Sequence, residues 1–170
     1  MAGVANIILG DGVFSIGSTN IALTRGGGKF IVEREYRLIE ADGDYGPIKG
    51  RIRKTKSIAK LEMNALEILP ANIPMMYPAL DEDTTTTPGT SVIAAATDVV
   101  DADYNTTVKW TGKTKAGKAV VITLENAINL ENIDWTLADK DEIIPKLTFT
   151  AAYLDTARTT EPWKIQYATT

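Results

Sequence analysis

The sequence predicts a single, mainly β domain with one short helix, and three observations carry that expectation. Of two long runs, Lys29–Glu40 is rich in β-branched and aromatic residues and Lys56–Ile68 alternates more cleanly, both with the period of two that a half-buried strand requires. Further short runs of the same kind recur down the chain, bounded by Gly, Pro, Asn and Asp. The chain's 170 residues are 44% hydrophobic and 24% charged, enough to build one core and too balanced for a disordered chain. One domain over residues 1–170 is expected.

From the amino terminus, Ile7–Leu9 and Val13–Ile16 flank Gly10-Asp-Gly12 and read as a small hairpin or edge strand after a mobile arm over residues 1–10. Ser18–Asn20 turns the chain into Ile21–Thr24, and Arg25–Gly28 breaks it before the first long strand. In the second long strand Ala59, Leu61, Met63 and Ala65 share one face, with Lys60, Glu62 and Asn64 on the other. The connection between the two, Ala41–Thr55, is longer and more charged than a hairpin needs, which points to a task beyond reversing the chain. Asn72 as N-cap and Pro74 in the first turn predict a short helix ending near Pro78, with Ile73, Met76 and Tyr77 packed on the sheet. Asp81–Gly89 reads as a polar loop, and Ser91–Thr97 as a strand, although so short an apolar run fits a helix as well. Thr106–Thr111 and Lys118–Glu125 form a hairpin, Asn126–Asn132 a connection, and Ile143–Leu154 a strand with Leu147, Phe149, Ala151 and Tyr153 on one face. Pro145 belongs near that strand's start or on an edge, and Trp163–Tyr167 closes the chain as a last strand.

Composition narrows the chemistry. With no cysteine and no histidine, disulfides, the usual zinc and iron–sulfur sites, and every mechanism with an imidazole base are removed. Gly28-Lys29 and Gly112-Lys113-Thr114 imitate a phosphate loop, but Leu23 and Thr107 stand where its first glycine belongs. Asp101–Asn105 imitates the start of a calcium loop, with Thr106 in place of the turn glycine and Gly112 in place of the bidentate glutamate. Glu33, Glu35 and Glu62 lie in regular strands rather than in an aromatic-lined cleft, so a glycosidase pair is disfavoured. No cofactor, metal or catalytic residue is expected. Lys49, Arg51, Arg53, Lys54 and Lys56 gather five of the eighteen basic residues, but without interleaved aromatics and at a net charge of −4 they read as a solvated face. No apolar run reaches the roughly 18 residues that span a bilayer and no signal peptide opens the chain, so synthesis and retention in a cytoplasm are expected, with no membrane partner.

The order Gly26-Gly-Gly-Lys-Phe-Ile-Val-Glu-Arg-Glu35, then Ile39-Glu-Ala-Asp-Gly-Asp-Tyr-Gly-Pro-Ile-Lys-Gly-Arg51, then Ala59-Lys-Leu-Glu-Met-Asn64, resembles the tail tube (major tail) proteins of long-tailed bacteriophages. Trp135–Ala151 resembles the late hairpin of that family, whereas Thr84–Thr107 matches nothing in it. The resemblance implies a β-sandwich or half-barrel with a short flanking helix, and hexameric rings stacked into a tube around a channel. It implies as partners other copies of the chain, a tape-measure protein held in the channel, tail terminator and distal tail proteins, and DNA in transient passage. It places the protein in a virion tail, made in the host bacterial cytoplasm. The connection over residues 41–55 would then reach the neighbouring ring through Asp42, Asp44, Tyr45, Pro47, Ile48, Lys49, Arg51 and Arg53, the basic ones meeting acids such as Asp42, Asp44 or Asp81–Asp83 there. Glu33, Glu35, Lys60, Glu62 and Asn64 would line the channel, the acidic side chains repelling phosphates. Arg34 interrupts the apolar face of Phe30, Val32, Tyr36 and Leu38, which calls for a bulge or for a carboxylate across a subunit boundary. A tube subunit of a phage-derived bacteriocin or secretion apparatus is the near alternative, and a monomeric β-sandwich that binds a carbohydrate or protein is the distant one.

Overall fold

The computed structural model describes residues 4–85, 89–94 and 97–168. Ten strands follow in chain order: β1 (Ile8–Ile16), β2 (Thr19–Ile21), β3 (Thr24–Leu38), β4 (Ile52–Ala65), β5 (Leu80–Asp83), β6 (Ser91–Ala94), β7 (Asn105–Thr114), β8 (Ala119–Asn129), β9 (Lys146–Ala151) and β10 (Trp163–Tyr167). One helix, α1 (Ile73–Met76), follows β4. Eight strands make one antiparallel sheet in the order β2-β1-β7-β8-β9-β4-β3, with β10 also on β8, while β5 and β6 pair by themselves.

The sheet folds over on itself because its strand β8 forks. Along one edge β8 carries β10 from Val120 to Leu124 and then β9 from Ala127 to Asn129. At the fork Asn126 adopts a left-handed backbone, Glu125 N–H donates to the Pro162 carbonyl, and the Asn126 carbonyl accepts from Ala152 N–H, so the edge groups are satisfied while the partner strand changes. The layer β3-β4-β9 thereby lies over β2-β1-β7-β8-β10 in a sandwich-like arrangement. Between the layers the inward faces supply Phe14, Ile16, Leu61, Met63, Leu124 and Phe149, all buried. Ile73, Met76 and Tyr77 of the helical segment join the same core, as the sequence suggests.

Several boundaries differ from expectation. β1 begins at Ile8, inside the expected arm, and the backbone amides of Lys115 and Ala116 donate to Ile7 and Ala5. Arg25–Gly28 does not break the chain before a strand: β3 runs through it on a bulge between Thr24 and Gly28, with Gly26 and Gly27 at positive φ. β4 starts at Ile52, so the connection spans residues 39–51 rather than 41–55, and Arg53 is a strand residue. Asn72 does not cap the helix through its side chain; its backbone is helical, its side chain is buried, and its amide donates to the Leu69 carbonyl. The helix is tied to the sheet by Asn105 and Asn129 instead, whose side-chain amides donate to the Met75 and Met76 carbonyls at 2.9 and 2.8 Å. The acidic run Asp81–Asp83 is strand rather than loop, paired with Ser91–Ile93, which also settles Ser91–Ala94 as strand; residues 95–96 lie outside the described residues, as do 86–88 of the polar loop. β8 continues through Asn126 to Asn129 where a connection is expected, and β9 is shorter than its expected run, ending at Ala151 before Tyr153.

Candidate functional site

β3 and β4 pair over almost their whole length, but β9 supports β4 only from Lys60 to Asn64. The paired residues Glu35–Leu38 and Ile52–Lys56 project beyond that support as a two-stranded arm of roughly 13 Å, at about 3.3 Å per residue, before the connection begins. On one face of the arm Tyr36, Leu38 and Ile52 continue the core-facing side of the sandwich past the point where any core remains, and all three are exposed. Tyr45 at the tip is fully exposed, and Ile39 and Ile48 are exposed beside it. This apolar surface on a charged projection lies outside the core.

The connection is organised by its own polar groups. Asp44 accepts from the Ala41 amide (2.8 Å) and from Arg51 (2.9 Å), and Ile39 N–H donates to the Arg51 carbonyl. Asp44 and Arg51, both expected to meet a neighbouring ring, thus face each other inside one subunit. Asp42, Tyr45, Pro47, Ile48 and Lys49 are exposed, and Arg53 sits on β4 directly opposite Arg37.

At its root the arm is fixed by Glu161. This carboxylate accepts hydrogen bonds from Lys54, Ser57 Oγ (2.8 Å), Tyr153 Oη (3.2 Å) and Trp163 Nε1 (2.8 Å). The Tyr153 hydroxyl also lies 3.1 Å from the Ser57 carbonyl. The Lys54 ammonium first, then the Ser57 and Trp163 donors, outweigh partial burial and bring the Glu161 carboxyl down from 4.5 to about 2. Nothing in the charge pattern of the sequence singles out Glu161, because its donors come from segments far apart in the chain.

Arg34 stands in regular register opposite Ser57, and the bulge in β3–β4 falls one residue later, between Glu35 and Tyr36. Its guanidinium lies 5.8 Å from the centre of the Trp163 ring. Phe30 packs against the same ring with centroids 5.6 Å apart, so β10 serves as the platform for the root of β3.

The opposite face of β3-β4-β9 gathers Glu33, Glu35, Lys60, Glu62 and Asn64, as the alternation predicts. Its glutamates are not free. Lys60 reaches Glu33 at 2.9 Å, Lys56 reaches Glu35 at 3.1 Å and Lys146 reaches Glu62 at 3.3 Å, with Lys29 opposite Glu62. The face is a charge-balanced ladder, not the acidic surface the glutamates alone suggest.

Asp103, from the imitation calcium loop, spends its carboxylate on the Ala79 and Val100 amides, at 3.0 and 2.8 Å. Among the described residues no cluster of three or more acidic side chains is placed to hold a metal. A cavity of about 220 Å³ between the layers is lined by Phe14, Phe30, Trp110, Ile122 and other apolar groups, with Lys29 as its charged member. Compared with known protein families and with curated proteins, the chain matches none.

Proposed function

We propose that the protein is a structural subunit of a phage-type tail tube, associating with its own copies into rings that stack around a channel. The observation that carries this reading is the arm: Tyr36, Leu38, Ile52 and the tip residue Tyr45 form exposed apolar surface on a hairpin held at its root by Glu161. A monomer gains nothing from such a projection, whereas a neighbouring copy can bury it. The edges of β3 and β2, the two ends of the sheet, are unpaired among the described residues and support the same reading, since an unpaired edge is an aggregation hazard unless a neighbour covers it. The resemblance to tail tube proteins supplies the ring number of six and the passage of DNA past the tape-measure protein. In that arrangement the ladder of Glu33, Glu35, Lys60, Glu62 and Asn64 faces the channel, and its paired charges give DNA no strong site at which to stick.

Sedimentation velocity over a rising concentration series tests the reading. Discrete rings and larger polymers are expected; a single monomeric boundary at every concentration would support the monomeric binding module instead.

A further inference from the structure

Along the solvent face of β3–β4 the charges pair, Glu33 with Lys60 and Glu35 with Lys56, until the arm itself. There the next rung sets Arg37 directly opposite Arg53, and neither has an ion-pair partner among the described residues. Like charges facing each other across a ladder destabilise the hairpin, so this rung is strained in the free subunit and is relieved by an anionic partner. Arg51 and Lys54 cannot share the load, being engaged by Asp44 and Glu161.

A surface of the opposite character lies on the segment between β8 and β9. Trp135 packs against the core and anchors this segment, while Leu130, Ile133 and Leu137 remain exposed, Leu137 at 78%. Glu131 and Asp134 lie among them and Asp141 follows, accepting from the Glu142 amide; none of the three has an ion-pair partner in the described residues. The other acidic stretch, Asp81–Asp83, is a poorer match because it is paired strand, with Ile93 opposite Asp81 as its exposed large apolar neighbour in place of three.

Building on the tube reading, we infer that the acidic, apolar segment 130–142 of one copy receives the hairpin arm of the next. Arg37 and Arg53 meet Glu131, Asp134 and Asp141, while Tyr45 and Ile48 at the tip cover Leu130, Ile133 and Leu137. The contact is heterologous, one surface binding a different one, and so propagates from copy to copy instead of closing as a dimer.

The chain has no cysteine, so introduced thiols report the contact cleanly. Tyr45→Cys and Leu137→Cys proteins, mixed and oxidised, should give disulfide-linked dimers, whereas Tyr45→Cys with Ile93→Cys should not. Arg37→Gln with Arg53→Gln should leave the thermal midpoint unchanged or raised, while weakening self-association about tenfold. Arg37→Glu with Arg53→Glu should abolish association, and Asp134→Lys with Asp141→Lys in the same chain should restore it. Linkage through Ile93→Cys rather than Leu137→Cys, or no rescue by the second charge reversal, would overturn the inference while leaving the tube reading intact. Wild-type protein that never associates would overturn both. Full assembly of the Arg37→Glu, Arg53→Glu protein together with loss of duplex DNA retention in a gel would assign the rung to nucleic acid and overturn it too.

Discussion

The Glu161 carboxylate ties residues from β4, from the segment after β9 and from β10 into one polar node, and its removal should loosen the arm before it unfolds the body. Glu161→Ala leaves Ser57 Oγ and Trp163 Nε1 without their acceptor, while Tyr153 Oη keeps the Ser57 carbonyl, a loss of about 2 kcal/mol for a charged acceptor with several donors. Hydrogen exchange should then speed up in Glu35–Leu38 and Ile52–Lys56 more than in β7 and β8. The node also fixes a pH dependence. Its folded pKa is lowered from 4.5 to about 2, so the stabilisation is fully present above pH 4.5 and is lost as pH falls from there through about 2. Denaturant titrations across that window should show wild type losing stability more steeply than Glu161→Gln. A second residue-scale test concerns Gly112, where a Cβ would stand 2.2 Å from the Trp110 ring. Gly112→Ala should destabilise by about 1–3 kcal/mol through overpacking, and most of that loss should vanish in a Trp110→Leu background.

At the scale of elements, the proposed role of the arm predicts that folding and association can be separated. Replacing residues 39–51 by Asp-Gly should preserve the β3–β4 pairing, because that dipeptide closes a tight hairpin and the Glu161 node is untouched. Circular dichroism and thermal midpoint should stay near wild type while stacking fails; long tubes from this variant would remove the connection from the ring-to-ring contact. Changing Glu33, Glu35 and Glu62 to glutamine should alter stability by less than about 1 kcal/mol each in denaturant titrations, since their ion pairs are solvent-accessible. The strands that carry this division are legible in the sequence wherever one face is buried. β4 from Ser57 to Ala65 and β9 from Leu147 to Ala151 alternate because the core demands it. Ile52–Thr55 is illegible as strand because both faces of the arm are solvated, so no alternation is imposed and the basic residues read as loop. Asp81–Asp83 is hidden by its charge in the same way. The continuation of β8 past Asn126 is illegible because a left-handed residue usually ends a strand, and here it marks a change of partner instead. Arg34 on Trp163 and the Glu161 node depend on contacts between distant segments, which periodicity does not encode.

For the whole molecule, a sheet that folds over its own core leaves β2 and β3 as its end strands, unpaired on their outer edges among the described residues, and one arm without a core to cover it. The proposed tube reading accounts for these features together, because other copies would cover both edges and the arm. The most direct test is electron microscopy of the purified, negatively stained protein at the concentrations where sedimentation shows association. Rings with a stain-filled centre, stacked into tubes that the 39–51 deletion reduces to single rings or free subunits, are the predicted result. Compact single particles with no central channel, or aggregates without a repeat, would contradict the account.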